Sequence, residues 1–160
     1  MPEIHAARRD RARQQIAEVG ADAALITAVP NVRYLTGLAS SNAALLLLAS
    51  GPGVPAVLAT DSRYALAAQR DCPDLELVVE RFIEPRLAAE MTSRALRTVA
   101  FEAHEMSVER HAELAAAAAG VTTVPFGRKI EELRTVKDPS ELELLASSSS
   151  AAFELARPVR

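Results

Sequence analysis

Histidines and carboxylates are the residues that could give this chain hydrolytic chemistry, because together they bind catalytic metals. The three histidines are His5, His104 and His111. His104-Glu105 begins like the zinc motif H-E-x-x-H, but that motif would need its second histidine at the position of Val108. The spacing therefore predicts no metal site in this chain.

Nucleophilic catalysis is not indicated either. The single cysteine, Cys72, has no histidine near it in sequence, which predicts an inert thiol. No serine lies in the G-x-S-x-G pattern of a nucleophile elbow. Gly51-Pro52-Gly53 is too short to hold a phosphate and joins two predicted strands. We therefore expect no catalytic residue and no cofactor within these 160 residues.

The composition is typical of one compact domain. The chain has 160 residues, of which 49% are apolar, and a net charge of -3. These values do not indicate a nucleic-acid partner, and no segment approaches the roughly 18 apolar residues of a membrane helix. A single cysteine excludes an internal disulfide and fits a reducing compartment. We expect a soluble, cytoplasmic protein.

The alternation of apolar runs and turn residues predicts an α/β fold with a mixed six-stranded sheet flanked by helices. The second and third strands should be antiparallel, because a turn at 50–53 joins them. The predicted strands span 23–27, 43–49, 54–60, 75–80, 98–103 and 121–126, and the predicted helices span 4–19, 61–71, 85–95, 107–119 and 138–156.

Further expectations concern the surface and caps of the helices and the connection between the first two strands. The first helix carries four arginines, and we expect this basic side of the helix to be solvated. Polar residues follow the arginines, whereas a signal peptide would continue with an apolar run. Asp61 or Ser62 is expected to cap the second helix, and Ser107 is expected to cap the fourth. The segment between the first two strands is interpreted as a turn at Asn31, a bend at Gly37 and a short polar loop. The four arginines are Arg8, Arg9, Arg11 and Arg13.

The last predicted helix has a strong start signal. Asp138 is placed to cap it, Pro139 occupies its first turn, and Glu141 completes a capping box. Two interpretations remain open for its apolar face. The helix either docks back on its own sheet or connects to a further domain.

Three motifs in order give the chain a family resemblance. N-V-R-Y-L-T-G-L at 31–38, T-D-S-R-Y at 60–64 and I-E-E-L-R-T-V-K-D-P-S-E-L-E-L-L at 130–145 resemble the N-terminal domain of the creatinase/aminopeptidase P/prolidase family. The resemblance implies a fold with a ribonuclease H-like motif. It assigns 1–136 to this domain and 137–160 to a connector helix toward an absent C-terminal catalytic domain.

The same resemblance implies a function for the whole protein. The absent domain would hold two divalent ions, manganese, cobalt or zinc, on Asp, His and Glu ligands that follow Arg160. The protein would be a homodimeric metallopeptidase, an aminopeptidase P or Xaa-Pro dipeptidase that cleaves short proline-containing peptides. The N-terminal domain would be non-catalytic, would mediate dimerisation, and would restrict access to the metal site of the other subunit.

Within the family the loop after Y-L-T-G reaches toward that site, and here it is small and neutral. Its residues are Leu38, Ala39, Ser40, Ser41 and Asn42. The aromatic residue and arginine with which creatinases recognise their substrate are missing near this loop, which favours the peptidase branch.

Arg63 and Tyr64 are the second candidate contact, because a guanidinium binds carboxylates through two parallel hydrogen bonds. They could meet substrate or a partner subunit, or they could only stabilise the turn after the third strand. A separate hypothesis is a free-standing α/β binding or regulatory module without peptidase activity. The residues that the gene encodes after Arg160 would distinguish the two functions.

Overall fold

The computed structural model describes residues 2–49 and 56–155, with six strands and seven helices in these ranges. The strands are β1 Ala23–Ile26, β2 Ala43–Leu48, β3 Val57–Thr60, β4 Glu76–Val79, β5 Thr98–Phe101 and β6 Thr122–Pro125. The helices are α1 Pro2–Glu18, α2 Val29–Thr36, α3 Ala65–Asp71, α4 Ile83–Ser93, α5 Val108–Ala117, α6 Lys129–Thr135 and α7 Pro139–Leu155.

The strands form one mixed sheet in the order β4-β3-β2-β1-β5-β6, which confirms the predicted fold class. β2 is antiparallel to both β1 and β3, as predicted for the second pair. The other neighbours are parallel, so five strands point one way and only β2 is reversed. The predicted turn at 50–53 lies outside the described residues.

Helices cover both faces of the sheet. Leu45 and Leu47 face the layer of α1, α2, α3 and α6, whereas Leu46 and Leu48 face α4 and α5. This alternation explains why β2 is apolar at every position, because a strand buried on both faces has no solvent side. Each fully buried leucine contributes roughly 1.5–3 kcal/mol relative to an exposed one. Among the described residues, none of the helices is both long and apolar enough to cross a bilayer.

The predicted turn at Asn31 is wrong, because this residue lies in the first turn of α2. Pro30 suits that position, since its missing N–H would have no partner within the helix. Gly37 ends the helix with a φ of 82°, and its N–H donates to the carbonyl of Arg33 at 2.8 Å.

The predicted helix caps are partly confirmed. Ser107 caps α5, and its hydroxyl accepts from the amide of Arg110. Asp138 and Glu141 form the predicted capping box, since each backbone N–H donates to the other side chain at 3.0–3.1 Å. The cap at Asp61 or Ser62 is wrong, because α3 begins at Ala65 with no side-chain cap.

The predicted solvation of the basic side of α1 is wrong for two of its arginines. Arg8 and Arg9 are 6% and 4% exposed, and they donate to the carbonyls of Tyr34 and Leu35 at 3.1 and 2.8 Å. Both carbonyls belong to the last turn of α2, where a helix leaves its C=O groups without internal partners. Nη2 of Arg8 pairs with Asp138 and Glu141, and Nη2 of Arg9 pairs with Asp74.

The start of the last helix is bound to the rest of the protein. Arg8 pairs there with Asp138 and Glu141 of the capping box. Farther along, Leu142, Leu144 and Leu145 are 54, 68 and 51% exposed, so their side chains are not packed on the sheet. The boundary near residue 136 and the role of 137–160 as a connector remain predictions.

Replacing Gly37 with alanine should destabilise the fold more than the same change at Gly120. Both glycines have positive φ, which costs an L-residue roughly 1–2 kcal/mol. A Cβ at Gly37 would also lie 2.7 Å from Nε2 of His5, whereas a Cβ at Gly120 meets nothing within 4 Å. His5 is hydrogen-bonded to the carbonyl of Tyr34, so moving its ring adds about 1 kcal/mol.

Urea unfolding of the two variants measures this difference. Gly120→Ala is the matched control, because it shares the backbone strain without the close approach. Equal losses of unfolding free energy in the two variants would contradict the structural account.

Candidate functional site

The loops that carry the motifs meet at one end of the sheet. Five strands finish there and β2 begins there, because β2 alone is reversed. We call this the C-terminal end of the sheet. The residues next to the strands at this end are Thr27, Asn42, Asp61, Glu80, Glu102 and Phe126.

The loop after Y-L-T-G and the turn after β3 are hydrogen-bonded to each other. The hydroxyls of Ser41 and Tyr64 lie 2.9 Å apart. Nδ2 of Asn42 donates to Asp61 at 2.8 Å. Oγ of Ser40 lies 3.5 Å from Oγ1 of Thr60 and accepts from the amide of Asn42 at 3.0 Å. The structure therefore brings together two segments that sequence analysis selected separately.

Leu38 does not belong to this polar cluster. Its side chain is 1% exposed and lies in the hydrophobic core beside Leu35. Leu38 therefore anchors the start of the loop in the core, whereas Ser40, Ser41 and Asn42 are partly or fully exposed.

Arg63 has a defined orientation although its side chain is 67% exposed. Its Nε and Nη2 donate to the two oxygens of Asp61 at 3.0 and 2.7 Å, and the Asp61 carboxylate also accepts from the amide of Arg63. The guanidinium lies 5.4 Å from the ring centroid of Tyr64. Bonds from Arg63 and Asn42 hold the pKa of Asp61 well below its ordinary value of 3.8. Nη1 of Arg63 has no hydrogen-bond partner among the described residues, so it is available to an acidic group.

A cleft of about 530 Å³ opens beside this cluster. Phe82 forms part of its wall and is 71% exposed, with the guanidinium of Arg81 5.8 Å from its ring centroid. Arg81 makes no ion pair within the part of the chain that the structure describes. Sequence analysis did not select these two residues, although their place directly after a parallel strand is typical of binding residues. The cleft is lined by Asn42, Asp61, Ser62, Arg63, Val79, Glu80, Arg81 and Phe82.

A buried carboxylate holds the same end of the sheet together. Glu102 is fully buried, and it accepts from the amides of Thr27 and Ala28 at 2.7 Å and from Nδ2 of Asn31 at 2.6 Å. Arg134 donates to the other side of the Asn31 amide at 2.9 Å. Burial raises the pKa of Glu102, and these three donors oppose that shift.

This network explains two of the three motifs in structural terms. Asn31 belongs to the first motif and Arg134 to the third, and both are bound to Glu102 directly or through one residue. The network places α2, and therefore the loop that follows it, at the C-terminal end of the sheet. Sequence analysis missed Glu102, because an acidic residue after a strand carries no signal of its distant partners.

Two other groups could have been reactive. Cys72 is buried, its thiol donates to the carbonyl of Thr36 at 3.3 Å, and burial raises its pKa to about 11. A thiol with this pKa is almost fully protonated at neutral pH, as expected for an inert cysteine. His104 lies 2.7 Å from Glu131 and 3.9 Å from Glu105, so the structure adds a carboxylate that the local spacing did not indicate.

The sequence matches a family model, the Creatinase/Prolidase N-terminal domain, over residues 8–136. The structure is similar to the N-terminal domain of the cytoplasmic peptidase PepQ from Mycobacterium tuberculosis H37Rv, with 40% identity and a TM-score of 0.75. That likeness covers 79% of this chain and 98% of the other.

Two longer proteins are also similar. The uncharacterized peptidase YqhT of Bacillus subtilis is 26% identical over 151 residues, covering 94% of this chain and 42% of its own length. An Xaa-Pro dipeptidase from Bacillus anthracis has the same fold, with a TM-score of 0.83 at 23% identity over 94% of this chain and 42% of that one. The chain thus spans less than half the length of these two proteins.

Replacing Asp61 with asparagine should lower the melting temperature at neutral pH. Because the pKa of Asp61 is lower in the folded protein than its ordinary value of 3.8, its ionised form stabilises the fold above that value. This stabilisation is lost as the pH falls through the folded pKa. The melting temperatures of wild type and Asp61→Asn should therefore converge as the pH falls below about 4.

Asp71→Asn is the matched control for this pH series. Asp71 is also paired with an arginine, Arg70, but its carboxylate is not bonded to a loop within the described residues. Only Asp61→Asn should accelerate amide hydrogen exchange in residues 39–42. Unchanged exchange there would contradict the role of Asp61 in ordering the loop.

Replacing Glu102 with glutamine should destabilise the protein by about 1–3 kcal/mol, because an amide nitrogen cannot accept the bonds that both carboxylate oxygens now accept. Chemical denaturation measures the loss, and faster exchange of the Thr27 and Ala28 amides would locate it. Glu113→Gln, on the exposed side of α5, should change stability by less than about 0.5 kcal/mol. Similar effects of the two substitutions would rule out the proposed role of Glu102.

Proposed function

The chain belongs to the creatinase/prolidase N-terminal domain family, and we propose that it is the non-catalytic N-terminal domain of an Xaa-Pro metallopeptidase. In this proposal it mediates dimerisation and restricts substrate access to the metal site of the partner subunit. The observation that supports it best is the exposed cluster of Ser41, Asn42, Arg63 and Tyr64 at one end of the sheet. These four side chains are hydrogen-bonded to one another or to Asp61, and part of their surface is accessible.

The relatives support the class of reaction. Two similar structures come from proteins named as an Xaa-Pro aminopeptidase of Streptococcus pyogenes and an X-Pro aminopeptidase of Thermotoga maritima, both 27% identical to this chain. We propose that the full protein likewise hydrolyses short proline-containing peptides in the cytoplasm. Its two divalent ions, manganese, cobalt or zinc, would lie in a catalytic domain beyond this chain.

The shape of the cluster suggests how access is limited. The loop presents small neutral side chains, so it would exclude longer peptides by its position rather than by its charge. Arg63 and Arg81 flank the cleft and would attract a carboxylate, while Phe82 offers an apolar surface. The free carboxyl group of a short peptide would bind the arginines, and its proline ring would pack on Phe82.

The last helix fits a connector in this proposal. Its capping box is bound to Arg8, whereas the side chains of Leu142, Leu144 and Leu145 are more than half exposed. A further domain that packs on these leucines would bury them. The free-standing binding module is the alternative outcome of the experiments below.

The first experiment compares this chain with the complete gene product on an Xaa-Pro dipeptide and a longer Xaa-Pro peptide, with and without manganese. We expect metal-dependent cleavage only by the complete product. Activity of the 160-residue chain alone would contradict its non-catalytic assignment. An inert complete product, or the absence of any longer product, would favour the binding module.

The second experiment tests the loop in the complete, dimeric enzyme. Ser41→Trp should lower kcat/KM for the longer peptide by roughly tenfold relative to the dipeptide, equivalent to about 1.4 kcal/mol. The reason is that a larger side chain narrows the entrance without touching the metal ligands. Ser93→Trp is the matched control, because this exposed serine ends α4 at the opposite end of the sheet.

Sedimentation of both tryptophan variants separates access from assembly. A dimer that retains dipeptide activity but loses activity on longer peptides supports the restriction of access. Equal kinetics for the two variants would refute a role for the loop while leaving the family assignment intact.

A further inference from the structure

We propose that His104, Glu105 and Glu131 form a binding site for a divalent transition-metal ion such as zinc, independent of any catalytic domain. One nitrogen and two carboxylate oxygens, one from each residue, lie within 4.8 Å of one another. Imidazole and carboxylate are ligands that zinc prefers, and it binds them at about 2.0–2.2 Å. Donor atoms this close can converge on one ion with small changes of side-chain rotamer.

The ligands come from two elements that the fold already holds in place. His104 and Glu105 lie in the turn between β5 and α5, where the amides of Glu105 and Met106 donate to the carbonyl of Glu102 at 2.9 and 3.1 Å. Glu131 lies in the first turn of α6. A turn and a helix of fixed orientation can present ligands without a large loss of conformational entropy.

The second carboxylate oxygen of Glu131 also favours a cation at this position. Its Oε1 is 2.7 Å from Nε2 of His104, but its Oε2 is buried and has no hydrogen-bond partner within the described part of the chain. An unsatisfied buried carboxylate oxygen is costly, and a bound ion would satisfy it. The carboxylate of Glu102 adds negative charge nearby, since it and Glu131 repel each other.

The degree of exposure fits an ion that exchanges with solvent. The side chains of His104 and Glu131 are mostly buried, whereas that of Glu105 is about half exposed. Three protein ligands with one open side leave room for water as a fourth ligand. An ion here would connect the β5–α5 turn to α6, and so to the third motif and the start of α7.

Cobalt and zinc titrations of the 160-residue chain, purified with a chelator, test this site. Cobalt should produce saturable visible absorption bands with one ion per chain, and zinc should raise the melting temperature in a concentration-dependent manner. Glu131→Gln and His104→Gln should abolish both effects. Glu132→Gln is the matched control, because this exposed neighbour on α6 should leave both effects unchanged.

Two results would overturn the proposal. One is the absence of a saturable cobalt band and of a melting shift with zinc in the wild-type chain. The other is metal binding that persists in Glu131→Gln, which would place the ion on other ligands such as His5 or His111. Circular dichroism without metal shows whether each variant is folded, so a folding defect cannot imitate the loss of a ligand.

Discussion

The buried carboxylate of Glu102 is the interaction on which the C-terminal end of the sheet depends. An ionised carboxylate is expensive to bury unless hydrogen bonds replace its water, and here two backbone amides and the amide of Asn31 do so. The eight residues of α2 are too few to form a stable helix alone. Glu102 binds the donors at its start, and Arg8 and Arg9 bind the carbonyls at its end. Side chains from elsewhere in the chain thus bind both ends of α2.

This arrangement shows which parts of the fold the sequence could predict. All six strands were predicted, because a run of apolar residues between turn signals is local information. The capping box at Asp138 was predicted for the same reason, since its two partners are three residues apart. The helix α2 was missed, because the carboxylate that binds the residues at its start lies 71 residues from Asn31. The burial of Arg8 was missed as well, since Asp138 is 130 residues away.

The candidate site was likewise predicted only in part. The loop after Y-L-T-G and the turn at Arg63 and Tyr64 were selected by motif resemblance, and their contact across 23 residues could not be seen in the sequence. Asp61 was assigned to a helix cap, because aspartate after a strand commonly has that role. Its carboxylate instead binds Arg63 and Asn42, two partners that compete successfully with the backbone amides of α3. Local patterns therefore identified the right segments but not the bonds between them.

Burial separates the polar residues that stabilise the fold from those that remain available to a partner. Asn31, Glu102 and Arg8 are buried and hydrogen-bonded, so their effect is on the position of α2. Arg63 is different, because exposed ion pairs contribute only about 0–1 kcal/mol to stability. Its pairing with Asp61 therefore changes the orientation of the guanidinium more than the stability of the domain. An arginine that is oriented but only partly hydrogen-bonded is suited to recognise an acidic group supplied by another molecule.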